Sequence, residues 1–182
     1  MKRALLAASA VVIAAGAGIG LVQVANSAAP AAAAGAPAKV DNFQLTDQSL
    51  MAHELYYFKY APAIVVMSRT NNSAYSKAAA GELEKLAAAY KAKGVLFYML
   101  DSSPADSREA IAAEHKLQGL TVPILVDEQQ LVGEQLGVAR EGEVYVIDPK
   151  TWKVAYHGAL DARFSSASPK LTAQPGKAYA AE

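Results

Sequence analysis

An α/β fold is what this sequence predicts: a three-layer sandwich with a central mixed β-sheet flanked by helices. Three observations carry the prediction. Two unbroken apolar runs, residues 63–67 and 95–100, bracket a segment whose apolar residues fall at helical spacing. Two further strand-like runs, at 122–126 and 143–147, follow, the first leading into another short helical segment. The second ends in a turn and a further strand, the order of a terminal hairpin. Strands that alternate with helices and close on a hairpin build a sheet covered on both faces.

The elements follow in order. Met1-Lys2-Arg3 places two positive charges ahead of residues 4–22, which are all apolar or small. Ala25-Asn26-Ser27 then fits a small-x-small cleavage site, so residues 1–27 read as a secretory signal peptide, with an uncleaved anchor as the alternative. The stretch approaches the roughly 20 residues that span a bilayer, although its many Ala and Gly make a weak anchor. Residues 28–39, rich in Ala and Pro, read as a linker. The predicted folded domain is 40–164. Val40, Phe43 and Leu45 are apolar anchors in an irregular or short-stranded lead-in. Residues 55–60 carry four aromatics, Tyr56, Tyr57, Phe58 and Tyr60. Half of them are expected to pack under the sheet, and one or two to face outward as a docking patch.

Residues 63–67 make a strand buried on both faces, and Ala79, Leu83, Leu86 and Tyr90 form one stripe of the helix behind it. Gly94 ends that helix. The run at 95–100 is the next strand, closed by Asp101; Asp106 or Ser107 then caps a helix to about Leu117. Pro123 argues that the strand at 122–127 is an edge or that the proline is its first residue. A short helix over 129–136 stops at Gly137, and residues 143–147 and 152–156 pair around the turn at 148–151. Residues 165–182, polar and aperiodic, read as a flexible tail.

Charge and composition exclude more than they assign. Lys+Arg and Asp+Glu are both 17, so the formal net charge is zero. Removing Lys2 and Arg3 with the leader leaves 15 against 17, a net of −2. Neither value favours nucleic acid or an anionic membrane surface as partner. There is no cysteine. Disulfides, thiolate catalysis, Cys-ligated zinc and haem attachment through C-x-x-C-H are therefore excluded for this chain.

The polar stretch Arg69-Thr70-Asn71-Asn72-Ser73-Ala74-Tyr75-Ser76 sits where a strand opens a helix, the place where a helix N-terminus stabilises a thiolate. From 40 to 164 the chain resembles the thioredoxin-like superfamily, in its redoxin and peroxiredoxin branch. Thr70-Asn71-Asn72-Ser73 is similar to the peroxiredoxin T-x-x-C, and Ser73-Ala74-Tyr75-Ser76 to C-P-x-C. Residues 143–148 with 154–158 resemble the closing hairpin. The resemblance implies that Ser73 and Ser76 stand at cysteine positions and that Gly142 stands where the family places a cis-proline. A serine hydroxyl stays protonated near neutrality and cannot cycle to a disulfide. The resemblance thus implies a degenerate, redox-inactive member with no catalytic residue, cofactor or metal.

It also implies a role as a structural or assembly subunit of a larger periplasmic or membrane-bound respiratory enzyme, such as a quinoprotein–cytochrome dehydrogenase. Tyr56, Tyr57, Phe58 and Tyr60 are then the candidate partner contacts. The alternative is a module binding a small ligand or peptide in the groove around Ser73, Tyr75 and Gly142. Three further readings stay subordinate. Ser73 as a hydrolase nucleophile needs a nearby base, yet His53, His115 and His157 lie in no motif that supplies one, and there is no G-x-S-x-G. A metal site lacks the cysteines that copper-delivering relatives use with a histidine, and His157 is expected to be half-exposed. Asp101, Asp127 and Asp148 each close a strand and are expected to cap loops.

Overall fold

The computed structural model describes residues 37–165. The predicted leader, most of the linker and nearly all of the tail lie outside the described residues.

Seven strands form one mixed sheet in the order β2-β1-β5-β4-β3-β6-β7. The lead-in is a small hairpin, β1 (Gln44–Asp47) and β2 (Ala52–Glu54), followed by a single 3-10 turn at Leu55–Phe58. The centre is β3 (Ile64–Arg69), parallel to β4 (Leu96–Asp101) and antiparallel to β6 (Glu143–Asp148). All six residues of β3 are buried, as an apolar run with neighbours on both sides and layers on both faces requires. Beyond β4, β5 (Ile124–Val126) runs parallel to it, and β7 (Lys153–Ala159) hairpins onto β6.

Two corrections concern strands. Pro123 does not mark an edge: β5 is held between β4 and β1, and the proline lies one residue before it. Its carbonyl still serves the sheet, accepting from the Met99 N–H. Trp152 belongs to the turn before β7, with φ +61°, and stacks on Tyr56 at 4.2 Å.

Three helices complete the layers: α1 (Ala74–Tyr90), α2 (Arg108–Gln118) and α3 (Leu131–Leu136). Ala79 and Leu83 of the predicted stripe are buried, with Leu86 and Tyr90 partly so, against Met67, Met99 and Ile111 on one sheet face. The opposite face holds Ile64, Val66, Leu100 and Tyr145 under Val132 and Leu136 of α3. The chain therefore leaves β3 and β4 for helices on one face and β5 for a helix on the other. Gly94, Gly119 and Gly137 take left-handed conformations at the helix ends, where glycine avoids the Cβ penalty.

Candidate functional site

The strand-to-helix turn after β3 is built by side chains that fold back on it. Ser73 is the N-cap of α1, its Oγ accepting from the Ser76 N–H at 3.2 Å. Ser76, buried in the first turn, donates its hydroxyl to Glu141 Oε2 at 2.6 Å and accepts from the Thr70 N–H at 3.0 Å. Both hydroxyls at the predicted cysteine positions are thus spent on holding the turn. Ser68 does the same for the facing loop: its Oγ donates to the Arg140 carbonyl at 2.7 Å and accepts from the Glu143 N–H at 3.0 Å.

Gly142 lies directly before β6, its N–H bonded to the Ser68 carbonyl at 2.8 Å. Its φ is +76°, a conformation closed to proline, whose ring fixes φ near −65°. A Cβ there would collide with the Tyr75 ring. Tyr75 packs edge-on against Phe164 at 5.3 Å and donates its hydroxyl to the Phe164 carbonyl at 3.0 Å. Burial raises the Tyr75 phenol above its ordinary pKa, so it stays a neutral donor. The ring therefore fills the space over Gly142.

Behind the turn lies a buried charge cluster that sequence reading missed. Arg69, at the end of β3, donates to Asp101 Oδ2 at 3.1 Å, Glu114 Oε2 at 3.2 Å and Asn71 Oδ1 at 3.1 Å. Glu114 Oε2 also accepts from the Asn72 N–H at 2.7 Å, and Asp106 accepts from the Asn71 N–H at 2.9 Å. Lys77 approaches Glu114 Oε1 at 3.5 Å. The cluster ties the ends of β3 and β4 to α2 and clamps residues 71–72, with Asn72 at φ +58°. Burial pushes the Asp101 carboxyl up to about 7; Arg69 opposes that shift and Asp106 adds to it. Only the pairing of Arg69 with Asp101, the closing residues of adjacent strands, was open to inspection in the sequence.

The strand-end aspartates are therefore unlike one another. Asp127 accepts from the Ser102 hydroxyl and the Gly133 N–H, and Asp148 from the Lys150 N–H and Thr151 hydroxyl, so both hold loops as expected. Asp101 holds its loop as well and also pairs: its Oδ1 accepts from the Ser103 N–H at 3.2 Å, and its Oδ2 pairs with Arg69. The histidines also scatter. His53 bonds Asp47 at 2.9 Å and His115 lies near Gln48 and the Val122 carbonyl. His157 is buried rather than half-exposed, because the β6–β7 register sets it opposite the buried Tyr145, on which it stacks at 4.3 Å, with Glu143 at 3.7 Å. Among the described residues no group of three or more His, Asp or Glu is arranged to hold a metal.

The aromatic segment divides evenly. Tyr56 and Phe58 pack inward, Tyr56 also donating to the Val40 carbonyl, while Tyr57 and Tyr60 are each 69% exposed and meet edge-to-face at 6.2 Å.

The sheet order, the helix opened by the turn after β3, and the hairpin of β6 and β7 define a thioredoxin-like α/β protein. The model of the AhpC/TSA family matches residues 36–161. The chain belongs to that family. Solved structures agree on the fold. A hypothetical protein from Sinorhizobium meliloti 1021 is 25% identical, with a TM-score of 0.66 over 78% of this chain and 77% of its own. An uncharacterized conserved protein from Geobacillus kaustophilus is 27% identical, with a TM-score of 0.66 over 79% and 76%. The thioredoxin domain of a thiol-disulfide oxidoreductase from Bacteroides vulgatus shares the fold alone, at 14% identity, with a TM-score of 0.58 over 67% and 86%. No curated protein sequence matches the chain.

Proposed function

We propose that this chain is a redox-inactive redoxin-family protein, exported, that serves as a structural or assembly subunit of a larger periplasmic or membrane-bound enzyme. Quinoprotein–cytochrome dehydrogenases of the respiratory chain are the class to test first. One observation carries the reading: the two hydroxyls at the cysteine positions are bonded into the scaffold, Ser73 to the helix start and Ser76 to Glu141 and Thr70. The site is thus maintained as a structural joint, with Tyr75 closed over Gly142 where relatives keep a proline. What then remains for function is surface, and Tyr57 and Tyr60 are the large exposed aromatics on it.

The test is purification from native membranes and from the soluble fraction. Recovery with a larger subunit at fixed stoichiometry, and no turnover of peroxide or disulfide, is expected. A lone monomer in both fractions sinks the proposal.

A second reading is supported by a cleft of about 180 Å³ beside the joint, lined by Ser68, Thr70, Ser102, Arg140 and Glu141 among others. Its size suits a small polar ligand rather than a peptide. A thermal-shift screen of small metabolites that found no stabilising compound would remove it.

A further inference from the structure

The near-zero net charge of the chain conceals an uneven distribution. Residues 37–165 hold 13 lysines and arginines and 16 carboxylates. Six of those lysines gather at one end of the sheet, opposite the turn after β3. β3 and β4 both start at this end, where Ile64 pairs with Leu96 and Ile147. Three loops therefore meet there: 59–63 leading into β3, 91–95 leading into β4, and 149–152 between β6 and β7. A Cβ on Gly94 would sit 3.8 Å from Pro62, and Trp152 stacks on Tyr56 of the segment before β3, so the loops are neighbours. The chain also enters here, with Lys39 bridged to Lys153 and the Val40 N–H bonded to the Trp152 carbonyl at 2.8 Å.

This end presents Lys39, Lys59, Lys91, Lys93, Lys150 and Lys153, all exposed. Its carboxylates are Asp41 and Asp148, so it carries a net +4. The rest of the domain sets seven cations against fourteen carboxylates, a net −7. Among the described residues the ion-paired lysines are Lys77 and Lys85, and none of the six is. Lys91 and Lys93 lie just past α1, where a cation complements the helix dipole. That leaves four lysines, on three separate stretches of chain, that no helix end explains. Like charges gathered on one face repel one another, and an anionic surface relieves that repulsion.

The kind of anion follows from the kind of cation. All six are lysine and none is arginine, whereas protein interfaces favour arginine and are poor in lysine. The arginine fork suits carboxylates held in fixed geometry; an ammonium on a flexible stem suits a field of phosphates without register. The tether agrees. Residues 28–39 lead from the predicted leader to this face, and a stretch of that length reaches at most about 40 Å. A leader retained in the bilayer would bring this face to it first.

We infer that this end of the domain binds anionic phospholipid surfaces, with its six lysines among the headgroups and the serine turn facing away from the bilayer. Attraction of this kind grows with each lysine held within a Debye length of the surface. Tyr57 and Tyr60 border the face and keep the part given to them above. Lipid binding and subunit recovery fail separately: a chain that binds vesicles and recovers no larger subunit keeps this reading and loses that one.

Vesicle sedimentation tests it, with the mature chain from Ala28 and vesicles of phosphatidylcholine with or without phosphatidylglycerol. Partition onto the phosphatidylglycerol vesicles is expected to be roughly a hundredfold the stronger at low salt, and to fall as salt rises. Lys59→Gln with Lys150→Gln, at two exposed and unpaired positions, lowers it about 25-fold, roughly fivefold per lysine. Lys85→Gln with Lys116→Gln removes the same charge elsewhere and leaves it within about twofold of wild type. Equal partition onto both kinds of vesicle overturns the inference. Equal losses in the two double variants do so too, because the charge of the whole molecule would then be acting rather than this face. Absence of vesicle binding, with salt-labile recovery of a larger subunit that the K59Q/K150Q protein loses, assigns the face to an acidic protein and equally overturns it.

Discussion

At the scale of single residues, Gly142 and Arg69 decide most about the turn after β3. Gly142 is held at φ +76° with the Tyr75 ring against its Cα, so Gly142→Ala adds both backbone strain and a collision. A loss of about 1–3 kcal/mol is expected in chemical denaturation. The two costs separate in a double-mutant cycle. In a Tyr75→Ala background only the strain remains, so the same substitution should cost less there, and equal costs in both backgrounds would show that the ring is irrelevant. Arg69 joins two buried carboxylates, and Arg69→Met leaves Asp101 without its cationic partner while Glu114 keeps Lys77 and the Asn72 N–H, a loss of about 3–5 kcal/mol. Asp101 adds a pH signature. Its carboxyl is raised by burial to about 7 from 3.8. Between those values the folded chain holds a proton there that the unfolded chain has released. The Asp101 contribution is thus fully present below about pH 4 and is lost as pH rises toward 7. Asp101→Asn, though less stable overall, should flatten the decline measured by urea unfolding across pH 4.5–7.5.

Elements were legible where punctuation is local and obscure where it is not. The stripe of α1, the cap of α2 (to one of Asp106 and Ser107) and the stops at Gly94 and Gly137 could be read directly, because each depends on residues within one turn of chain. The place of β5 could not, since Pro123 signals an edge locally while β1, about eighty residues earlier in sequence, supplies the neighbour. The β1–β2 hairpin was read only as a lead-in: its strands are four and three residues long and their pattern is mixed. In the candidate site Ser73, Ser76 and Gly142 were singled out by the family resemblance, but Glu114 was invisible, because a glutamate in mid-helix reads as solvated surface until its partner is known. The caps give a clean test. Ser73→Ala and Ser107→Ala remove one cap bond each, at the starts of α1 and α2, and should each cost about 1 kcal/mol. Ser76→Ala should cost more than Ser73→Ala, about 1–3 kcal/mol, because it strips a partner from both Glu141 and the Thr70 N–H. Equal melting curves for S73A and S76A would show that Ser76 is not a structural hydroxyl.

For the whole molecule the question is which surface carries function once the thiol positions have been given to structure. Among the described residues the large exposed aromatics are the pair beside the β1–β2 hairpin. Tyr57 and Tyr60 expose flat rings at one short turn, the sort of anchor a preformed partner surface buries. Substitution tests their part. Tyr57→Ser with Tyr60→Ser removes exposed aromatic area while Tyr56 stays on Trp152 and Phe58 stays near Tyr98, so stability should change by no more than about 0.5 kcal/mol. The same double variant should no longer recover a larger subunit from native membranes. If the double tyrosine variant retained its partner at wild-type yield, the aromatic face would not be where this scaffold docks.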